Sequence, residues 1–153
     1  MYDPIAIQPF RDELTRAGFA ELRTPGDVDA ALTAQGTALV VVNSVCGCAA
    51  GQARPGLALA ARHPKAPQKL LTVFAGADVE ATTRARAYFT GYQPSSPSIA
   101  ILRDGKIVFM LERREIQTMD ARRVAATLGE AFEAVASGAE APAPTASLGL
   151  PAR

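Results

Sequence analysis

The segment Thr37-Ala38-Leu39-Val40-Val41-Val42-Asn43-Ser44 limits the folds open to this chain more than any other. From Ala38 to Val42 it is apolar without interruption. A strand with one face in water alternates apolar and polar residues. A strand that does not alternate is covered on both faces, as central strands of α/β sheets are. Such a strand demands helices above and below the sheet it belongs to. Directly after it stands Val45-Cys46-Gly47-Cys48-Ala49-Ala50-Gly51, which holds both cysteines of the chain with one glycine between them. An alanine-rich segment able to form a helix comes next. A strand ending in a thiol pair where a helix begins sets sulfur beside unpaired N–H groups and the positive end of the helix dipole. Both favour thiolate over thiol, and the thiolate is the nucleophile of disulfide exchange.

The remaining elements predict an alternation of helix and strand. Ile5 to Ala17 shows a loose helical pattern through Ile5, Phe10, Leu14 and Ala17, with Pro9 marking where the helix proper begins. Thr24-Pro25-Gly26 leads into a short helix from Asp27 to Thr33. Thr37 to Ser44 is the first strand. Cys48 to Arg62 is helical by its alanine and leucine content, and Pro55 and Gly56 are expected to kink it or end its first part. Lys69 to Ala75 is a second strand, closed by Gly76, and Asp78 is placed to cap a helix from Val79 to Phe89 that ends near Gly91. Ser98–Leu102 and Lys106–Met110 are strands joined by Arg103-Asp104-Gly105, where Asp-Gly is a strong hairpin signal. The last helix runs from about Met119 to Val135, with Val124, Leu128 and Phe132 on one stripe. Residues 1–136 therefore read as one α/β domain with a central mixed β-sheet flanked by helices. Residues 137–153 read as an Ala/Pro-rich tail expected to be disordered.

Charge narrows the partners. Sixteen Lys and Arg against 15 Asp and Glu give a net charge of +1, without blocks of like charge. That argues against nucleic acid or an anionic membrane as the main partner. No apolar stretch approaches the roughly 20 residues of a membrane helix. Met1-Tyr2-Asp3-Pro4 is neither basic nor followed by a signal-type apolar run. The expected location is the cytoplasm, where thiols are normally reduced and disulfides tend to be catalytic or regulatory. A Cys46–Cys48 bridge closes a loop so short that the chain-entropy model assigns it about 1.6 kcal/mol at most. Strain in so tight a ring subtracts from this. The pair makes a poor staple and a plausible redox couple.

On that reading Cys46 is the attacking thiolate and Cys48, in the first helical turn, resolves the mixed disulfide. Gly47 lets the backbone take the tight geometry. The plainer alternative is that both cysteines are small core residues. Pro94-Ser95-Ser96-Pro97-Ser98 stands just before a strand, and the Ser96–Pro97 bond is expected to be cis. One histidine and two cysteines do not fill a zinc site without carboxylates. The thiols alone leave open a soft ion such as Cu(I), or an iron–sulfur cluster shared between two chains. His63, before Pro64, reads as an exposed residue at a helix C-terminus rather than a base. Glu112-Arg113-Arg114-Glu115 reads as a solvated surface segment rather than a substrate clamp.

The run Leu39 to Gly51, with Ala53-Arg54-Pro55 after it, closely resembles the bacilliredoxin family of thioredoxin-like proteins. So do Glu13-Leu14-Thr15-Arg16-Ala17-Gly18-Phe19, Glu21-Leu22, Thr72-Val73-Phe74-Ala75-Gly76, Tyr88-Phe89-Thr90-Gly91 and Pro94 to Ser98. The resemblance spans Tyr2 to about Val135. It implies a thioredoxin-like fold and the removal of bacillithiol, a low-molecular-weight thiol, from proteins that carry it in disulfide linkage. It makes Cys46 the cysteine that takes up bacillithiol, Cys48 the second cysteine and Pro97 a cis proline beside them. Asn43, Ser44, Gly47 and Ser96 become supporting residues of the site. The implied partners are bacillithiolated client proteins, bacillithiol as thiol co-substrate with no bound cofactor, and a bacillithiol disulfide reductase. Disulfide isomerase activity is an alternative within the same chemistry, and a thiolate-based metal or iron–sulfur carrier an alternative outside it. Some relatives carry a further cysteine near the C-terminus; this chain has none, so resolution falls to Cys48 or an external thiol. An attacking thiol works best with a pKa near ambient pH. Cys46 is therefore expected moderately below a free thiol and Cys48 above Cys46.

Overall fold

The computed structural model describes residues 2–138. The tail expected to be disordered lies, from residue 139 onward, outside the described residues. Helices α1 (Pro4–Arg16), α2 (Pro25–Leu32), α3 (Arg54–Ala60), α4 (Val79–Ala87), α5 (Arg113–Ile116) and α6 (Ala121–Ala136) surround one sheet. Its strands are β1 (Ala20–Glu21), β2 (Thr37–Asn43), β3 (Lys69–Phe74), β4 (Ser98–Arg103) and β5 (Lys106–Leu111), in the order β1-β3-β2-β4-β5. β1, β3 and β2 run parallel, and β4 and β5 are antiparallel additions. This is a mixed α/β sheet of the thioredoxin type.

β2 sits at the centre, and both of its faces are covered. Leu39 and Val41 join a core with Leu14 of α1, Leu57 of α3, Ile99 and Ile101 of β4, and Leu128 and Phe132 of α6. Ala38, Val40 and Val42 join a second core with Val28 and Leu32 of α2, Val73 of β3, and Ala81 and Ala85 of α4. The absence of alternation in the sequence is thus explained by a helical layer on each side. The Asp104-Gly105 hairpin forms as expected, with both residues at positive φ (52° and 78°).

At five points the structure refines the local picture. α1 begins at Pro4, with the Asp3 carboxylate accepting from the Ile5 N–H at 2.9 Å, so Pro9 lies inside the helix rather than at its start. The bond Pro9 cannot donate would go to the carbonyl of Ile5, on an exposed first turn that water can serve. β1 is too short to show a pattern; its register against Leu71 and Thr72 makes it a strand. Asp78 precedes α4 without capping it, because its carboxylate is engaged by Arg11 at 2.8 Å. The interruption expected at Pro55 falls just ahead of it, where the first helical segment ends at Ala53. A π-helical turn, Ala49–Ala53, precedes α3 and places Pro55 in the first turn of α3, where a missing N–H costs no helical bond. Glu112 to Glu115 is the capped start of α5: the Glu112 N–H donates to Glu115 Oε1 at 2.8 Å, and Glu115 is fully buried. Among the described residues no helix is long and apolar enough to cross a membrane.

Candidate active site

β2 ends at Asn43, and a chain of hydrogen bonds carries its order into the cysteine turn. Asn43 is buried; its Nδ2 donates to the Phe10 carbonyl at 3.1 Å and its Oδ1 accepts from the Ser44 N–H at 2.8 Å. Ser44 Oγ accepts from the Cys46 N–H at 3.1 Å. The Cys46 carbonyl accepts from the N–H groups of Ala49 and Ala50, both at 3.1 Å, which opens the helix. Beneath this turn lies Arg54, 2% exposed. Its Nη1 donates to the Ser44 carbonyl at 2.7 Å and to Asn43 Oδ1 at 3.1 Å. Its Nε donates to Glu13 at 3.1 Å, and its guanidinium lies 4.7 Å from the Phe10 ring centroid. Sequence reasoning assigns Arg54 no role in the site. The signal that marks it is a lone arginine three positions before Leu57 on an otherwise alanine-lined buried stripe.

Both cysteines are free and half-buried, with their sulfurs 2.9 Å apart in a thiol hydrogen bond. Burial pushes the Cys46 thiol up, but hydrogen bonds from Cys48, the Ser44 hydroxyl and the Ala49 N–H, with the Arg113 charge, outweigh it and leave Cys46 below an ordinary thiol. Burial pushes Cys48 up, and its hydrogen bond and charge interaction with Cys46 push it further. The two thiols are thus set apart, with Cys46 the one that ionises more readily. This is the order expected from sequence. Gly47 departs from expectation: it is exposed, is not at positive φ, and a Cβ there would meet nothing within 4 Å. A side chain there would stand in open space, and the backbone conformation does not call for glycine.

The second wall is the loop before β4. The Ser96–Pro97 bond is cis, and Pro97 is buried. The last β2–β4 pair, Val42 with Ser98, brings this loop alongside the chain that leaves β2 for Cys46. Arg86 Nη2 donates to the Ser95 carbonyl at 3.2 Å, and Arg113 Nη1 donates to the Ser96 carbonyl at 3.3 Å. The structure thus brings Asn43, Ser44, Cys46, Gly47, Cys48, Ser96 and Pro97 together and adds Arg54 and Arg113. His63 stands elsewhere. It is half-buried, edge-on to Phe132 with centroids 5.7 Å apart and Nε2 3.6 Å from Glu133, rather than an exposed helix end. Among the described residues no three His, Cys, Asp or Glu side chains cluster, so a soft metal at the thiol pair would find no third such ligand in them.

A thioredoxin-type α/β sheet with a proton-sharing thiol pair at the end of its central strand defines a thiol redox protein. Sequence comparison carries this to a family. Residues 2–136 match the family model described as disulphide isomerase. A bacilliredoxin of Koribacter versatilis is 54% identical over 134 residues, covering 87% of this chain and 92% of the relative. A bacilliredoxin of Bacillus cereus is 54% identical over 127 residues, 83% of this chain and 88% of the relative. A bacilliredoxin of Geobacillus kaustophilus is 56% identical over 117 residues, 76% and 80% of the respective chains. The chain belongs to the bacilliredoxin family.

Proposed function

We propose that this protein is a thiol–disulfide oxidoreductase that removes bacillithiol from proteins, with Cys46 as nucleophile. The Cys46 thiolate attacks the bacillithiol sulfur of a protein–bacillithiol disulfide. A Cys46–bacillithiol disulfide forms, and the protein's sulfur leaves as a thiolate that takes a proton from water. A second bacillithiol thiolate, or Cys48 after losing its proton, then attacks the adduct. The first route yields bacillithiol disulfide and free Cys46; the second yields a Cys46–Cys48 disulfide and free bacillithiol. The reaction needs no bound cofactor, and a reductase that recycles bacillithiol disulfide completes it. Such chemistry fits the cytoplasm. The observation that carries the reading is the asymmetric thiol pair, 2.9 Å apart, with the lower-pKa sulfur at the start of the helix.

The test mixes a protein bearing a bacillithiol disulfide with the reduced chain, Cys46→Ser and Cys48→Ser, and follows intact masses. A bacillithiol-sized adduct should appear on Cys48→Ser and be absent from Cys46→Ser. No transfer to any variant would defeat the proposal. The name of the matching family model favours one second reading, disulfide isomerase activity. Recovery of a scrambled substrate without any bacillithiol would support it.

A further inference from the structure

Among the described residues two arginines keep a buried nitrogen without a hydrogen-bond partner, Arg54 through Nη2 and Arg86 through Nε. Such an atom is costly to hold in a fold, and burial pushes the Arg86 guanidinium below its ordinary pKa. Each of the two nevertheless donates to a backbone carbonyl in one wall of the thiol site. Arg54 Nη1 reaches the Ser44 carbonyl at 2.7 Å, in the cysteine turn. Arg86 Nη2 reaches the Ser95 carbonyl at 3.2 Å, in the loop before β4. That loop has little else to hold it. Residues 92–97 lie in no helix or strand. One end is fixed where Ser98 pairs with Val42. Exposed Arg113 of α5 adds two longer bonds, its N–H to Ser95 Oγ at 3.4 Å and its Nη1 to the Ser96 carbonyl at 3.3 Å. Arg86 is half-buried in the last turn of α4. α4 packs into one core through Ala81 and Ala85, and α5 into the other through Ile116. The loop is thus braced from both faces of the sheet, and Arg86 is the brace on the α4 side.

We propose that Arg86 is a positioning residue for protein-borne disulfides: it holds the Ser95–Pro97 loop as the wall against which a client's chain lies while its disulfide meets Cys46. The inference rests on the disulfide-exchange reading above and adds a residue to it. A disulfide on a protein arrives with a chain attached, and that chain has to fit the walls beside Cys46. A small disulfide brings its sulfurs alone and needs no wall. A loop free to shift therefore slows the first and spares the second, because holding a surface in its binding shape beforehand lowers the cost of binding. Arg86 acts through the Ser95 carbonyl and not on sulfur: the groups that set Cys46 are Cys48, Ser44, Ala49 and Arg113. Preference between a protein disulfide and a small one isolates this role from any change in the thiolate.

The experiment measures the second-order rates at which the reduced full chain takes bacillithiol from two substrates. One is a single-cysteine protein carrying bacillithiol in disulfide linkage, the other the mixed disulfide of bacillithiol with mercaptoethanol. Cys46 attacks the same sulfur in both, and only the leaving thiol differs. The measurement is repeated with Arg86→Met and Arg86→Lys. The protein-to-small rate ratio should fall about five- to ten-fold in Arg86→Met, the size of one hydrogen bond from a charged donor. It should stay within about two-fold in Arg86→Lys, which keeps a charged donor for the Ser95 carbonyl. Both rates are read on one sample, so any unfolded fraction of a variant cancels in the ratio. A ratio unchanged in Arg86→Met, or equal falls with both substrates, would overturn the positioning role and leave the thiol chemistry standing. Absence of transfer from either substrate to the unmodified chain would overturn the disulfide-exchange reading itself.

Discussion

Replacing Arg54 by methionine is expected to loosen the turn that carries Cys46. Methionine refills most of the alkyl volume, so the change acts through hydrogen bonds rather than through a cavity. The Ser44 carbonyl loses its 2.7 Å charged donor and stays buried, at about 1–3 kcal/mol. Asn43 Oδ1 loses one donor but keeps the Ser44 N–H, a smaller loss of about 1 kcal/mol. The guanidinium's contact with the Phe10 ring contributes about 1 kcal/mol more. The Glu13 side chain is 43% exposed, so that ion pair adds little. Against these stands Arg54 Nη2, buried without a partner, whose removal returns about 1–2 kcal/mol. The net is a destabilisation of about 2 kcal/mol. In urea, with a slope of about 1–2 kcal/mol per M, the midpoint falls by about 1–2 M. Arg54→Lys, which keeps the charge and loses the fork, should fall between the two. A Met variant as stable as the unmodified chain to within about 0.5 kcal/mol refutes the accounting. A second readout separates fold from site. As Ser44 loses its anchor, the pH at which Cys46 becomes alkylated should rise. Lost stability with an unmoved Cys46 profile would make Arg54 a support of the fold alone.

Two further measurements concern the site and its helix. Because Cys46 is held below an ordinary thiol and Cys48 above one, iodoacetamide should modify Cys46 first at neutral pH, and its rate should level off at lower pH than that of Cys48. Cys48→Ala removes the donor and should move the Cys46 profile to higher pH; faster alkylation of Cys48 in the unmodified chain would reverse the assignment. Two glycines give opposite expectations in thermal unfolding. Gly47→Ala places a methyl in empty space at an ordinary φ and should leave stability unchanged or raise it by up to about 1 kcal/mol. Gly56→Ala would set a methyl 2.9 Å from the Ala121 carbonyl and 2.6 Å from Val124 Cγ1, forcing α3 and α6 apart at about 1–3 kcal/mol. Equal melting temperatures for the two variants would refute the contrast.

The features legible in the sequence and those hidden from it divide along a physical line. β2, the Asp104-Gly105 hairpin and the thiol pair at a helix start are all encoded by neighbours in the chain, and each is readable from the residues alone. β1 is not, because two residues carry no period and only pairing with Leu71 and Thr72 makes them a strand. The π-helical turn is not, because Pro55 signals an interruption without saying how the helix absorbs it. The same line runs through the active site. Cys46, the proposed nucleophile, and its immediate donors, Ser44 and the Ala49 N–H, lie within a few residues of one another in the chain. The groups that fix and charge it arrive from a distance: Arg54 from α3, with Phe10 and Glu13 of α1 around it, and Arg113 from α5. As letters, Glu112-Arg113-Arg114-Glu115 look like four solvated charges. Burial of Glu115 in its capping box turns the segment into a short rigid helix, and that helix brings the charge of one arginine to the sulfurs while its neighbour is neutralised by Glu112. Local sequence therefore writes which atom attacks. The buried support under that atom, and the charge that reaches it from α5, are written by tertiary packing.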